Sequence, residues 1–206
     1  MNKKIIIDLD GTFVSVNTFH KWMKFLFTEA LKKFQLTSAI KILIIITLRA
    51  MQRIDHTKMK QMILEISEKN IHQKQITQFV AQLNPYVNKN LLAILQNTSN
   101  TTILATAAPL LYAQSIKEFY HFDFVLATNT TTQLPWQENI RETKAQNVKK
   151  LFEIHSWDTK KSILYTDHHD DLPLMHLVYA TYLVNASEKT KMLTHNANIT
   201  VKIVDE

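Results

Sequence analysis

Two aspartates, Asp8 and Asp10, follow directly on a run of three isoleucines near the start of the chain. Because β-branched apolar residues favour a buried strand, both carboxylates are expected just past a strand's carboxyl end, where open α/β sheets bind ligands. Gly11 comes next and is the only glycine among the 206 residues. A residue without a Cβ lets the chain turn sharply away from the strand, so the segment predicts a functional site.

The chemistry open to this pair of carboxylates is specific. Two carboxylates a few ångströms apart repel each other unless one is protonated or a cation lies between them. Hard oxygen ligands of this kind favour Mg²⁺. One carboxylate can then act as a nucleophile while the other transfers protons. The residue types alone therefore predict metal-assisted nucleophilic catalysis.

Three later segments carry further chemistry. A second apolar strand, predicted over 101–106, ends in Thr106 and is followed by Ala107. Lys144 is predicted to open a helix, and a third apolar strand over 162–166 ends in Asp167, with Asp171 four residues later. With the Asp8-Leu9-Asp10-Gly11-Thr12 segment, these resemble the four motifs of the haloacid dehalogenase-like superfamily in their usual order. The residues after Ala107 are similar to its phosphoserine-phosphatase-like branch.

The resemblance implies a fold and an activity. The fold is an α/β class, with a Rossmann-like three-layer α/β/α core, a parallel sheet and an all-helical cap inserted after the first strand. The activity is Mg²⁺-dependent hydrolysis of a phosphomonoester through an aspartyl-phosphate, with Asp8 as nucleophile and Asp10 as general acid and base. An aspartate at the position of Asp10 points to phosphoester chemistry, because a halide leaving group needs no proton.

The resemblance also implies a set of ligands. The implied phosphate contacts are Thr106, Ala107, Lys144 and Gly11. The implied metal ligands are Asp8, Asp10 through its backbone carbonyl, Asp167, and Asp171 either directly or through water; the neighbouring Asp170 is expected to be solvated. Thr166 stands where the family usually has glycine, and it is expected to narrow the space near the phosphate.

Two other functions stay open on the sequence. His168 and His169 follow Asp167, and such a cluster also suits Zn²⁺ or Mn²⁺ in a different class of phosphoesterase. That class needs further histidine and aspartate ligands on earlier strands, and the first hundred residues contain no His-x-Asp. The second alternative is a catalytically weak domain of the same fold that acts as a binding or regulatory module.

Domain organisation follows from the change in periodicity after the first strand. Residues 13–97 show only helical patterns, predicted at 18–34, about 38–51 with Thr37 or Ser38 as cap, 57–68, 73–83 and 88–96. The chain is therefore divided into a core of 1–12 and 98–206 and a cap of 13–97. The cap has twelve basic and four acidic residues, whereas the remainder has twelve and fourteen.

This charge division predicts the kind of partner. A basic lobe above an acidic, metal-binding floor attracts a small anionic phosphorylated substrate, although lysines that merely solvate helix faces give the same count. The lysines are dispersed, and no nucleic-acid partner is expected. The apolar segment 39–48 is too short to span a membrane. It is expected to be the central helix of the cap, which favours a soluble phosphometabolite; peripheral membrane contact and a lipid phosphate substrate remain the alternative.

Composition sets the remaining limits. With 46% hydrophobic and 20% charged residues the chain is globular. The absence of cysteine excludes disulfides, thiol catalysis and zinc-thiolate sites. The apolar run before Asp8 is too short for a signal peptide, so a cytoplasmic location is expected.

Overall fold

A six-stranded parallel sheet forms the centre of the computed structural model, which describes residues 3–133 and 135–204. The strands span Lys4–Ile7 (β1), Thr101–Pro109 (β2), Phe124–Thr128 (β3), Ser162–Thr166 (β4), Ala180–Val184 (β5) and Val201–Val204 (β6). Their spatial order is β3-β2-β1-β4-β5-β6, and every neighbouring pair is parallel. The chain therefore reverses its winding direction beside β1, which is where doubly wound sheets bind ligands. The predicted α/β class and parallel sheet are confirmed.

Helices cover both faces of the sheet. They span Thr18–Lys32 (α1), Leu36–Ala50 (α2), His56–Asn70 (α3), Gln73–Ala81 (α4), Lys89–Asn97 (α5), Leu110–Tyr120 (α6), Arg141–Ile154 (α7), Leu172–Met175 (α8) and Glu188–Asn196 (α9). Side chains on β1 alternate between two hydrophobic clusters: Ile5 and Ile7 pack with α6, and Ile6 packs with α7 and α8. This alternation gives the three layers that the sequence predicts.

Five helices, α1 to α5, lie between β1 and β2, where an all-helical segment is predicted. Asn17, Asp55 and Asn88 cap α1, α3 and α5 with their side chains. The predicted cap of α2 at Thr37 or Ser38 is wrong. That helix begins at Leu36, and its preceding residue, Gln35, forms no side-chain cap.

The centre of this helical segment is aromatic. Trp22 of α1 and Phe79 of α4 lie 4.9 Å apart between ring centroids, and both contact Tyr112 of α6 at 5.3 and 5.2 Å. The expectation that the 39–48 helix is central is therefore wrong. The larger aromatic side chains of α1 and α4 already fill the interior, and only Ala39, Ile42 and Ile45 of α2 are buried.

The chain enters and leaves the helical segment through one narrow neck. The Ser15 amide donates to the Tyr86 carbonyl at 2.8 Å, and the Asn88 amide donates to the Phe13 carbonyl at 2.9 Å. One hydrophobic cluster continues from the helices into the α6 side of the sheet. The division into a 13–97 cap and a 1–12 and 98–206 core stays a prediction; residues 1, 2, 134, 205 and 206 of these ranges lie outside the described part of the chain.

Candidate active site

The turn after β1 brings the chain back on itself within a few residues. The Asp8 amide still continues the sheet by donating to the Tyr165 carbonyl at 2.9 Å, and the Gly11 amide donates to the Val14 carbonyl at 2.8 Å. Gly11 has φ +80°, and a Cβ there would lie 2.2 Å from Oδ2 of Asp167. The backbone at Gly11 and the carboxylate of Asp167 thus occupy space that only glycine leaves open.

Lys144 joins two of the carboxylates at the carboxyl edge of the sheet. Its Nζ lies 2.7 Å from Oδ1 of Asp8 and 2.8 Å from both oxygens of Asp171. The Thr166 hydroxyl donates to Oδ2 of Asp171 at 2.6 Å. The hydroxyl that replaces the family's usual glycine therefore holds a carboxylate in position. All four side chains are buried or nearly so.

Burial dominates the electrostatics of this group. It raises the pKa of Asp8 to about 8; Lys144 opposes the rise, and the neighbouring charges of Asp171 and Asp167 add to it. Burial likewise raises the pKa of Asp167, which a hydrogen bond from Thr12 at 3.1 Å partly offsets. For Lys144 burial disfavours the ammonium, but Asp171 and Asp8 outweigh it and raise its pKa above the ordinary value.

The donor set fits a divalent cation. When ionised, Asp8, Asp167 and Asp171 carry three negative charges in one buried cluster, and Lys144 supplies one positive charge. Burial raises the pKa of Asp8 and of Asp167, so a negative charge on either is unfavourable there without a counter-ion. A hard cation such as Mg²⁺, held by these oxygens, would balance the remaining charge.

Asp10 lies at the amino-terminal end of α1. Its Oδ1 accepts a hydrogen bond from the Thr18 amide at 2.7 Å, and Thr18 is the first residue of that helix. Burial raises the pKa of Asp10, although the hydrogen bonds from Thr18 oppose the shift. A carboxyl group that keeps its proton more readily than usual is suited to general acid catalysis.

A cavity of about 290 Å³ opens above these carboxylates. Its lining combines the sheet edge with α1, α3 and the segment before α7; the residues are Asp8, Asp10, Asn17, Phe19, His56, Lys60, Ala107, Ala108, Glu138, Asn139, Ile140, Lys144, Asp167, His168, Asp170 and Asp171. Six of the eight predicted site residues thus border one cavity. The predicted phosphate contacts Gly11 and Thr106 do not line it.

Thr106 instead takes part in the frame behind the cavity. Its hydroxyl accepts from the Ala108 amide at 3.0 Å, and its carbonyl accepts from the Asn139 side-chain amide at 2.9 Å. The neighbouring Ala107 carbonyl accepts from the Thr128 hydroxyl at 2.6 Å. These bonds fix the last residues of β2, and the Thr106 hydroxyl keeps its own proton for donation.

Sequence reasoning missed the upper wall of the cavity. Lys60 of α3 forms a buried ion pair with Glu138, which precedes α7, and also lies 3.3 Å from the Ala107 carbonyl. His56, one turn before Lys60, lines the same space. No motif marks these residues, and only the clustering of basic residues in 13–97 pointed to a cation near the substrate.

His168, His169 and Asp170 form a separate group, with ligand atoms within 4.8 Å of one another. Asp170 is expected from the sequence to be solvated, but it forms an ion pair instead: its Oδ1 accepts a hydrogen bond from Nε of Arg141 at 2.8 Å. Among the described residues this group has three ligands and no fourth from an earlier strand. It lacks the further ligands that the histidine-metal alternative requires.

Comparison with known proteins identifies the family. The model for haloacid dehalogenase-like hydrolases matches residues 5–176, so the chain belongs to that hydrolase family. No curated protein matches its sequence.

Solved structures share the fold of the chain. A protein with unknown function from Bordetella pertussis Tohama I superposes with a TM-score of 0.77 at 13% identity, over 98% of this chain and 99% of that one. An HAD family hydrolase from Salmonella enterica serovar Typhi gives 0.69 at 16% identity, over 98% and 66%. A probable phosphoserine phosphatase from Vibrio cholerae gives 0.66 at 14% identity, over 92% and 58%. The predicted superfamily is confirmed by the family model, and the fold agrees with the predicted phosphoserine-phosphatase-like branch.

Proposed function

We propose that the chain is a Mg²⁺-dependent phosphatase that hydrolyses a phosphomonoester through an aspartyl-phosphate. One observation carries the proposal: Lys144 lies 2.7 Å from Asp8 at the floor of the cavity, and Asp10 stands beside it with a raised pKa. A nucleophile beside a fixed cation and a proton carrier is the set that phosphoryl transfer requires. The solved structures titled phosphoserine phosphatase share the fold and are consistent with this chemistry.

The reaction proceeds in two displacements. An oxygen of Asp8 bonds to phosphorus while the ester P–O bond breaks, and the proton of Asp10 goes to the leaving oxygen. Asp10 then takes a proton from a water molecule whose oxygen bonds to phosphorus. The bond between Asp8 and phosphorus breaks, phosphate is released, and both carboxyl groups return to their first state.

The surrounding residues stabilise charge. Lys144 offsets the negative charge of Asp8 and of the phosphoryl group, and the backbone around Ala107, which the Thr106 hydroxyl helps to fix, donates to phosphoryl oxygens. Asp8, the Asp10 carbonyl and Asp167 would hold Mg²⁺, together with Asp171. When bound, the ion supplies Lewis-acid stabilisation of charge on the phosphoryl oxygens.

The cavity favours a small head group next to the phosphate. Its upper wall presents both charges of the Lys60–Glu138 pair together with His56, which suits a polar phosphometabolite. A lipid phosphate is a second candidate, and one observation favours it. An apolar groove of about 550 Å³, lined by Met23, Phe27 and Leu43 among others, shares His56 with the catalytic cavity.

The covalent intermediate provides the test. Asp8→Asn is expected to lower turnover by several orders of magnitude and to abolish hydroxylamine-sensitive labelling of the protein by a ³²P-substrate. Glu153→Gln, an exposed carboxyl-to-amide change on α7, is the matched control and should keep both. Near-normal turnover in Asp8→Asn would refute the mechanism. Binding of phosphorylated compounds without hydrolysis of any soluble or lipid phosphoester, with Mg²⁺ present, would favour the binding module.

A further inference from the structure

The helix α2 exposes an apolar face that the rest of the fold leaves uncovered. Five side chains form this outer face, and their exposed fractions lie between 49% and 60%; they are Leu36, Ile40, Leu43, Ile44 and Met51. They recur at steps of three, four and seven residues and so lie along one side of the helix. Since soluble proteins rarely expose a contiguous apolar stripe, such a face points to an interaction.

The charge around the outer face is mainly positive, and Glu65 of α3 is the one acidic residue that lines either of the two grooves beside α2. From residue 30 to residue 54 the sequence contains five basic residues and no acidic one. Lys41 lines a groove on one side of α2 together with Ile44, and Arg49 lines the larger groove on the other side together with Leu43. Among the described residues neither Lys41 nor Arg49 takes part in an ion pair. The apolar stripe is thus bordered by cations on both sides.

The turn before α2 extends this surface. Phe34 has φ 55°, a left-handed conformation that is uncommon for an aromatic residue, and its side chain is 86% exposed. Holding a phenyl ring in solvent at a strained position does not stabilise the fold. The Phe34 ring lies close to Leu36 in the sequence, so it can enter an apolar environment that contacts the outer face.

We propose that the outer face of α2 docks on an anionic lipid bilayer. The helix has 15 residues and a length of roughly 22 Å, which is less than the about 30 Å of a hydrocarbon core, so it lies along the interface. Among the described helices none is long and apolar enough to cross a membrane. Lys41 and Arg49 extend from the sides of the stripe toward lipid headgroups while their stems remain in the apolar layer.

Charge complementarity selects the bilayer over a second copy of the chain. In a twofold dimer the same face meets itself, so the two basic borders would approach each other, and among the groove residues only Glu65 would oppose their charge. An anionic membrane supplies the opposite charge at both borders. The groove beside Arg49 also adjoins the catalytic cavity, because His56 lines both.

Vesicle sedimentation with the full chain tests the proposal. The protein is expected to bind vesicles that contain phosphatidylcholine and phosphatidylglycerol, and to bind vesicles of phosphatidylcholine alone only weakly. Added salt should release it from the anionic vesicles. Lys41→Gln and Arg49→Gln should each weaken binding about fivefold. Ile40→Gln and Ile44→Gln should each weaken it on the order of tenfold. All four positions are partly or largely exposed, so folding should be retained, which thermal unfolding checks.

A site-specific label gives a second measurement. Because the chain has no cysteine, Ile40→Cys carries a single environment-sensitive fluorophore without further changes. Its emission should rise and shift to the blue with anionic vesicles. Ile154→Cys, an exposed isoleucine on α7, is the matched control and should not respond.

Three results would overturn the proposal. The first is no binding to anionic vesicles, or equal binding to neutral ones. The second is binding that survives Ile40→Gln together with Ile44→Gln. The third is a dimer in solution that Ile40→Gln dissociates while vesicles have no effect, which would assign the face to a second copy of the chain.

Discussion

The single glycine of the chain offers the sharpest test of how the site is built. In Gly11→Ala the new Cβ would lie 2.2 Å from Oδ2 of Asp167, whereas ordinary contacts begin near 3.4 Å. The carboxylate must therefore retreat by about 1 Å, and a displacement of that size in a positioned group can cost on the order of 10²-fold in rate. An alanine at φ +80° adds about 1–2 kcal/mol of backbone strain.

The two effects of Gly11→Ala are measured separately. Urea unfolding should show a loss greater than the about 1–2 kcal/mol of backbone strain, because the contact with Asp167 adds to it, and Tm should fall by at least roughly 2–8 °C for a chain of this size. Steady-state turnover of a phosphomonoester should fall on the order of 10²-fold. Asn198→Ala is the matched control, because Asn198 is an exposed residue with φ 55° after α9. It should lose stability without losing turnover.

A double variant decides whether Asp167 is responsible. In an Asp167→Ala background the clashing carboxylate is absent, so Gly11→Ala should cost only the backbone strain. Full turnover in the single Gly11→Ala variant would refute the reasoning. So would an equal loss of unfolding free energy in both backgrounds, because the contact with Asp167 would then have no energetic effect.

Three further predictions address metal, packing and pH. Turnover should vanish in EDTA and return with Mg²⁺, and Asp167→Ala should remove the Mg²⁺-induced rise in Tm; rescue by Zn²⁺ alone would contradict this assignment. Lys60→Met should lower the free energy of unfolding in urea by about 3–5 kcal/mol, because it leaves Glu138 buried without its partner. Adding Glu138→Leu should recover most of that loss. Additive losses would show that the pair is not coupled. A hydrogen bond from Lys32 lowers the pKa of Glu29 below its usual 4.5. The Glu29 carboxylate therefore stabilises the fold above pH 4.5, and this contribution is lost as the pH falls through the lowered pKa. Glu29→Gln should make the free energy of unfolding depend less on pH on the acid side. An unchanged dependence would show that Glu29 does not have this role.

The carboxylates could be predicted from the sequence because topology brings strand ends together. Asp8 and Lys144 are 136 positions apart. Asp8 follows β1 and Lys144 lies in the first turn of α7, and these two ends must lie at the same edge of a parallel sheet. The apolar strand before Asp8 and the one before Asp167 are recognisable by composition alone. That these residues form the catalytic site stays a prediction, to be decided by the Asp8→Asn and metal experiments.

The Lys60–Glu138 pair and the position of α2 could not be predicted in the same way. Lys60 is one of twelve basic residues in 13–97, and only packing of α3 against the core decides which of them is buried. For α2, an apolar composition on nearly all sides shows that the helix is hydrophobic and does not show which neighbours it has. The aromatic residues Trp22 and Phe79 compete for the same interior and occupy it.

The neck between the helical segment and the sheet has a consequence for how this chain can change over evolution. Ser15 and Tyr86 are 71 positions apart but are hydrogen-bonded to each other. The helical segment between them is therefore equivalent to one long loop, inserted into the sheet domain, whose two ends are held together. The entropy cost of such a loop grows by only about 0.6 kcal/mol when its length doubles. Insertions, deletions or exchange of whole helices are therefore cheap for the host fold, provided that an apolar partner for Tyr112 remains. The helical residues that line the cavity can therefore diversify while the spacing of Asp8 and Asp167 is left untouched.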